Sequence, residues 1–441
     1  VASPWARERY PKPAPASGAC PLACAYPPRV TEARRRAATG AAAAGAALAI
    51  LALVTPAASA ELRGRIVTWA GPGVAESRFV DPSKAPESYY NEPPGVAPRP
   101  NALRMDVYLP PGYRSHPGRR YPVLWLLHGH GDAYDSWPSP EQGDLRHTAA
   151  GLRAIVVMPE GDHGWYVNWW NGGKRGDPAW ERYHLDQLIP LTERRLRIRR
   201  GRRWHAIAGL SMGGEGAVFY ASQRPGYFGT AASFSGVLSI QRPEWPAGFN
   251  TQGEDYHDVF GDPQAQEFYW RGHNPLALVD NLRHTRLFVS VGDGVPDPTD
   301  PGEVQNTFGQ VAEAELHDQA NQFVQAARDA GVPVTYVQHQ GIHDWRYWRD
   351  DLRRAASWGL FEPPPAPAHR WSYGTVATAG RMWGLRFRFR QPPEAFERFR
   401  RLGRRLSASG SGEVAIRTPA GCLLRLTLPF HVRLPRARAC R

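Results

Sequence analysis

The sequence predicts an α/β protein with a mainly parallel sheet, followed by a small basic β-rich module. Three observations carry this. Short apolar, β-rich runs alternate with helical patterns between residues 103 and 360; a proline-rich stretch at Phe361-Glu362-Pro363-Pro364-Pro365-Ala366-Pro367 interrupts them; and an arginine-rich segment with strand-like runs follows. Composition agrees. Hydrophobic residues at 42% and aromatics at 11% are too many for a disordered chain. Gly 44 and Pro 42 without a G-X-Y period exclude collagen and long coiled coils. With 441 residues, the chain is long enough for two domains, or for one large domain with attachments.

Residues 1–60 are expected to be an upstream extension and a signal peptide. Arg34-Arg35-Arg36 precede an apolar stretch, Ala37 to Val54, and Ala58 and Ala60 form an A-x-A site, so cleavage after Ala60 would start the mature chain at Glu61. A start at Val30 would leave a signal of ordinary length. The same stretch is the sole apolar run that approaches a membrane span, which excludes a multi-pass transporter.

The catalytic part is read as residues 61–361. Residues 102–109 alternate apolar and polar and form a half-buried strand. Tyr121 to Leu127, Ala154 to Met158, His205 to Leu210, Thr230 to Phe234, Leu287 to Val291 and Val334 to Gln338 are runs of the type buried on both faces. Helical patterns lie at Ala179 to Arg197, Gly213 to Ser222 and Val311 to Ala330. Chemistry is therefore expected at the carboxyl ends of the strands. Residues 362–367 are the linker. In 368–441, strands are expected at Thr375 to Thr378, Trp383 to Phe389, Glu413 to Arg417 and Leu423 to Leu428.

Charge is uneven. Residues 1–60 carry +5 and 367–441 carry +13 of the total +13, leaving −5 for 61–366. Lysine occurs only at Lys12, Lys84 and Lys174, so nearly every cation is arginine. No nucleic-acid module accompanies this charge, and the expected partner is an anionic envelope surface met through residues 368–441.

The most informative stretch is Gly209-Leu210-Ser211-Met212-Gly213-Gly214, a Gly-x-Ser-x-Gly turn between a strand and a helix. Side chains at Gly209 and Gly213 would clash in so tight a turn, and Ser211 is held exposed at its apex as a nucleophile. The base follows later in the chain, and His343 in Gly341-Ile342-His343-Asp344-Trp345 is preferred over His339, which lies in or at the end of a strand. For the acid, strand topology favours Asp293, with Glu313 and Glu315 as alternatives. The backbone N–H groups of His130 and Met212 are the oxyanion donors, with Gly129 letting the loop approach the substrate. His128, His130 and Asp132 also give a partial dinuclear zinc signature, but Ala133 stands where its next histidine belongs. Trp165, Tyr166, Trp169 and Trp170, beside Asn168, are candidates to wall an acyl or sugar pocket.

The Gly209 to Gly214 turn, the His128-Gly129 loop, Ser235-Gly236 and His343-Asp344-Trp345-Arg346-Tyr347-Trp348 together resemble the esterase family of α/β-hydrolases. That family includes esterase D, or S-formylglutathione hydrolase, and the antigen 85 mycolyltransferases of actinobacteria. The resemblance spans residues 103 to 360 and looks like a secreted actinobacterial esterase between those branches. It implies the α/β-hydrolase fold and moves the acid to Glu313, ahead of Asp293 and Glu315. Where the antigen 85 branch has Asp-Gly-Leu-Arg, this chain has His128-Gly129-His130-Gly131, without the arginine that borders the sugar site.

The resulting expectation is an exported serine esterase acting on carboxylic esters with no cofactor and no metal. The alternatives are an acyltransferase to a sugar or lipid alcohol and a non-catalytic envelope-binding protein, the second disfavoured by Ser211 and His343. In an oxidising compartment, Cys422 and Cys440 would form a bridge contributing roughly 3 kcal/mol.

Overall fold

A computed structural model describes residues 64–81, 103–170, 178–245, 255–366 and 369–436. The expected signal segment, the proposed start at Val30 and Cys440 lie outside the described residues. Among the described residues no helix is long and apolar enough to cross a membrane.

Eight strands form the main sheet: β1 (Arg65–Trp69), β2 (Met105–Leu109), β3 (Val123–Leu127), β4 (Ile155–Pro159), β5 (His205–Leu210), β6 (Thr230–Phe234), β7 (Arg286–Gly292) and β8 (Val334–His339). Their order is β1-β2-β4-β3-β5-β6-β7-β8. The first two pairings, β1 with β2 and β2 with β4, are antiparallel, and the other five are parallel. This is the α/β-hydrolase architecture. The central strands are apolar throughout because both faces are covered. On one face, α1 (Met212–Gln223) and α2 (Thr307–Asp329) pack Val218, Phe219, Leu316 and Phe323 into a core with Trp125 and Ile207. On the other, α3 (Trp345–Trp358) sets Trp348 and Leu352 against Leu124, Ala208 and Phe234. The chain leaves β3 for β4 on one side and returns to β5 on the other, so a topological switch point opens beyond the carboxyl ends of β3 and β5.

Several elements differ from expectation: β2, expected half-buried, is buried, and β8, expected buried on both faces, is half-exposed at the sheet edge. The single helix expected over Ala179 to Arg197 is helical from 180 to 195 but π-helical at Tyr183–Leu188. Pro190 lacks the N–H that would bond four residues back, so the ladder upstream widens. The edge strand β1, five half-exposed residues, has too little periodicity to be read.

Beyond the linker, β9 (Arg370–Thr375), β10 (Ala379–Met382), β11 (Leu385–Phe389), β12 (Glu397–Leu402), β13 (Arg405–Ser409), β14 (Glu413–Arg417), β15 (Leu423–Thr427) and β16 (Phe430–Arg433) make two four-stranded antiparallel sheets, β10-β11-β14-β15 and β16-β13-β12-β9. Trp371, Tyr373, Phe387, Phe389, Phe399, Leu406 and Ile416 form one core between them. The strand expected at Thr375 to Thr378 lies earlier, because Arg370 to Thr375 pairs with β12. The one expected at Trp383 to Phe389 starts at Leu385, since Trp383 and Gly384 turn with φ of 47° and 85°. The sandwich docks on the hydrolase part through reciprocal bonds between Asn281 and Gly374 (2.9 and 2.7 Å), Tyr373 on Gln223, and Arg202 stacked over Trp383.

Candidate active site

β5 runs into Ser211, whose φ of 51° and ψ of −122° place a non-glycine residue in a sparsely allowed region. The neighbouring glycines are required. A Cβ on Gly209 would lie 2.2 Å from the Gly213 carbonyl oxygen, and one on Gly213 would lie 2.3 Å from that of His128. The strained turn is held by Ser211 N–H donating to Phe234 O at 2.9 Å and by Ser211 O accepting from the N–H groups of Gly214 and Glu215.

His343 reaches this serine from the loop between β8 and α3. Its Nε2 is 2.9 Å from Ser211 Oγ, and its Nδ1 is 2.7 Å from Glu313 Oε2. The histidine backbone is fixed by its N–H bond to Gly309 O, in the first turn of α2, and its ring meets Trp348 edge-on at 4.8 Å. Glu313 is fully buried, and its other oxygen accepts from Ser235 Oγ and from Gly292 N, both at 2.6 Å. Burial alone would raise the Glu313 pKa. The His343 imidazole, the Ser235 hydroxyl and the Gly292 N–H outweigh it and hold the carboxyl below its ordinary range. Trp348 Nε1 donates to Ser235 Oγ at 3.1 Å, so the acid is positioned from β6, β7 and α3 together.

The structure thus brings Ser211, His343 and Glu313 into one hydrogen-bonded chain, and the rival residues lie elsewhere. Asp293 accepts from Val295 N and Gly341 N, bracing the β7 and β8 loops. Glu315 pairs with Arg242 at 3.2 Å. His339 stacks on Tyr347 and approaches Asp351 at 3.5 Å. Sequence reasoning missed the positioning roles of Ser235, Gly292 and Trp348. The Ser-Gly after β6 is the one signal, and Ser235 has a left-handed φ of 47°.

The loop after β3 lies against Ser211, where a Cβ on Gly129 would stand 3.4 Å from Ser211 Cβ. Asp132 closes this loop by accepting from Gly129 N at 3.1 Å and from Gln142 at 2.9 Å. His130, in the same loop, packs on His163 with ring centroids 4.0 Å apart. Met212 opens α1, where first-turn N–H groups have no intrahelical acceptor. Among the described residues no group of three or more His, Cys, Asp or Glu is arranged to hold a metal ion. His128 is tied instead to Gly129 O and Gly161 N.

The tryptophans do not share one wall. Trp165 is buried between His130 and Trp245. Trp169 and Trp170 line a different cleft with Phe219 and Gln223, near the far end of α1 from Ser211. At 1.5 Å per residue Gln223 lies about 18 Å along the helix from Ser211. Cys422 lies just before β15, and the expected pairing with Cys440 falls outside the described residues.

Residues 100–358 match the family model described as "Putative esterase". The chain belongs to this esterase family. It is 34% identical over 250 residues to esterase Rv1288 of Mycobacterium tuberculosis, covering 55% of this chain and 52% of that protein. The chain therefore spans about half the length of that relative. It is 27% identical over 233 residues to the diacylglycerol acyltransferase/mycolyltransferase Ag85C of Mycobacterium leprae, covering 50% of this chain and 67% of that one. The solved structure of Mycobacterium tuberculosis MPT51 matches with a TM-score of 0.47 and 24% identity, over 60% of this chain and 95% of that chain. The family match ends before the β-sandwich.

Proposed function

We propose that this member of the esterase family is an exported serine esterase that cleaves carboxylic esters through an acyl-enzyme. The observation that supports this reading is the continuous Ser211–His343–Glu313 hydrogen-bonded chain at 2.9 and 2.7 Å. His343 takes the Ser211 proton as Oγ bonds to the ester carbonyl carbon, and Glu313 stays ionised beside the imidazolium. The oxyanion is received by the N–H groups of His130 and Met212. As the tetrahedral intermediate collapses, the carbonyl carbon releases the alcohol, which takes its proton from His343. Water then attacks the acyl-enzyme by the same route, freeing the acid and restoring Ser211.

Among the described residues, the exposed apolar side chains Val304, Phe308 and Val311 lie close in sequence to Gly309, which bonds the His343 backbone. They favour an ester with an apolar acyl part. A second reading, acyl transfer to an alcohol, rests on the likeness to the Ag85C acyltransferase. The proposed export places Cys422 and Cys440 where a bridge forms. The arginine-rich sandwich would then hold the enzyme at an anionic envelope surface.

The test is a short nitrophenyl ester with and without an alcohol acceptor. Ser211→Ala is expected to lower turnover on the order of 10⁶-fold without unfolding. Retention of more than a few per cent would overturn the serine mechanism. An acyl-alcohol product in excess of free acid would favour transfer.

A further inference from the structure

The outer face of the sheet β10-β11-β14-β15 carries an arrangement that folding alone does not call for. Arg386 in β11 stands directly opposite Arg381 in β10 and also directly opposite Arg417 in β14. Three guanidinium side chains therefore form one row across three strands, at a strand spacing of about 4.8 Å. Like charges directly opposite one another destabilise an antiparallel pair. Arg388 lies two residues along on the same face, and none of the four forms an ion pair among the described residues. Burial and the neighbouring Arg386 and Arg224 guanidiniums lower the Arg381 pKa, against a weaker pull from Asp186 and Glu193.

This row lines a cleft of about 360 Å³ between the sandwich and the hydrolase part. One acid, Asp186, borders it and is already paired with Arg224 at 2.6 Å. The cleft continues into a second, of about 640 Å³, with Arg224, Asp186, Ala379 and Arg388 common to both. The second is walled by Trp169, Trp170 and Tyr269, with Glu181 and Arg182 beside them, and Trp170 and Tyr269 meet edge-to-face at 5.0 Å. Charge and aromatic surface thus form one concave groove, well away from Ser211.

We infer that this groove binds an anionic polysaccharide, with acidic groups on the Arg381–Arg386–Arg417 row and sugar faces on the Trp169–Trp170–Tyr269 wall. The guanidinium fork matches a carboxylate or phosphate bidentately, and an anion between two arginines turns their repulsion into attraction. A flat bilayer would not enter the groove, and its headgroups would have no use for the aromatic wall. The inference rests on the reading that the sandwich holds the enzyme at an anionic envelope, and narrows it to one face and one ligand class.

The experiment uses the full chain on immobilised polygalacturonate, with neutral dextran and phosphatidylglycerol vesicles as the other arms, and thermal melts to verify folding. R386Q/R417Q is expected to weaken polygalacturonate binding at least tenfold. R398Q/R400Q, which removes the same charge from the exposed face of the other sheet, is expected to change it less than twofold. Trp170→Ala should weaken it several-fold, and R386K/R417K, folded and still charged, should recover part of the loss. Equal loss in both double glutamine variants would reduce the effect to net charge and overturn the groove. Vesicle binding that exceeds polygalacturonate binding would overturn the ligand class. Hydrolysis of a soluble ester is measured on the same samples, so an inactive wild type that still binds would sink the esterase reading alone.

Discussion

The hydrolase part and the β-sandwich differ in where most of their charge lies, although the sandwich also buries one acid, Glu397. In the hydrolase part, acids go inside: Glu313, Glu215, Asp351, Glu160, Asp132 and Glu181 are all buried. In the sandwich, Phe387 and Phe389 point inward from β11 while Arg386 and Arg388 point out, and β12 repeats the alternation with Phe399 against Arg398 and Arg400. In the strands covered on both faces, the polar groups of the site gather at the strand ends, around Ser211, Gly292 and His343. A strand covered on one face can present chemistry along its length. pH should therefore act mainly on the first region and salt mainly on the second.

The largest effect that sharpens this contrast concerns the buried acid of the site. Glu313→Gln should lower turnover by roughly 10⁴-fold, because an amide neither stabilises the imidazolium nor fixes its tautomer. Asp293→Asn, which touches only backbone N–H groups of two loops, should cost less than tenfold. The measurement is kcat on a nitrophenyl ester, and the reverse order would return the acid to the position that strand topology favoured. Ser235→Ala should fall between them, since it removes one of the two donors to Glu313 Oε1 while Gly292 N remains.

The Ser211–His343 pair that the geometry joins could be read from sequence because a Gly-x-Ser-x-Gly turn and a late histidine are local patterns with a mechanical reason. The acid could not be read from residues alone. Three carboxylates stood at plausible places, and which one meets His343 depends on the rotation of α2 against β7, a tertiary fact; the family resemblance placed Glu313 first. Six of the eight strands in the main sheet were legible as short apolar runs and β2 as an alternating one, though it proves buried on both faces. In the sandwich β10, β12, β13 and β16 were not, and β9 was placed too late, because these strands are short and carry only one or two large apolar residues each. The tryptophan cluster misled by proximity: Trp165 and Trp170 are five residues apart in sequence but serve different walls.

A second prediction concerns a buried acid with no catalytic part. Burial raises Glu181 to about 7, against an opposing pull from Arg224. Its folded pKa lies above its unfolded value, so the folded state binds more protons between roughly pH 4.5 and 7, and stability falls as pH rises through that window. The loss is on the order of 3 kcal/mol when complete. Glu181→Gln keeps an oxygen to accept from Asn168, which donates at 2.7 Å in the parent. The variant should melt higher than the parent at pH 8 and close to it at pH 4.5. An equal difference at both pH values would show that Glu181 is ionised in the fold and that the buried acids are not where pH acts.

The smallest effect belongs to the arginine face. Arg386 repels Arg381 and Arg417 across neighbouring strands, and no acid among the described residues pairs with any of them. Raising sodium chloride from 0.1 to 1 M shortens the Debye length from about 10 to about 3 Å, which screens this repulsion at an exposed surface. Stability of the parent should therefore rise with salt, by no more than about 1 kcal/mol, since exposed charge pairs act weakly. Arg386→Ser removes the central charge of the row, so its own salt increment should be smaller, while its stability at low salt should equal or exceed the parent's. Thermal melts of both proteins at the two salt concentrations give the comparison directly. Identical increments would mean that salt acts on burial in general rather than on this row, and the face would then lose its claim to be held in unfavourable repulsion awaiting an anion.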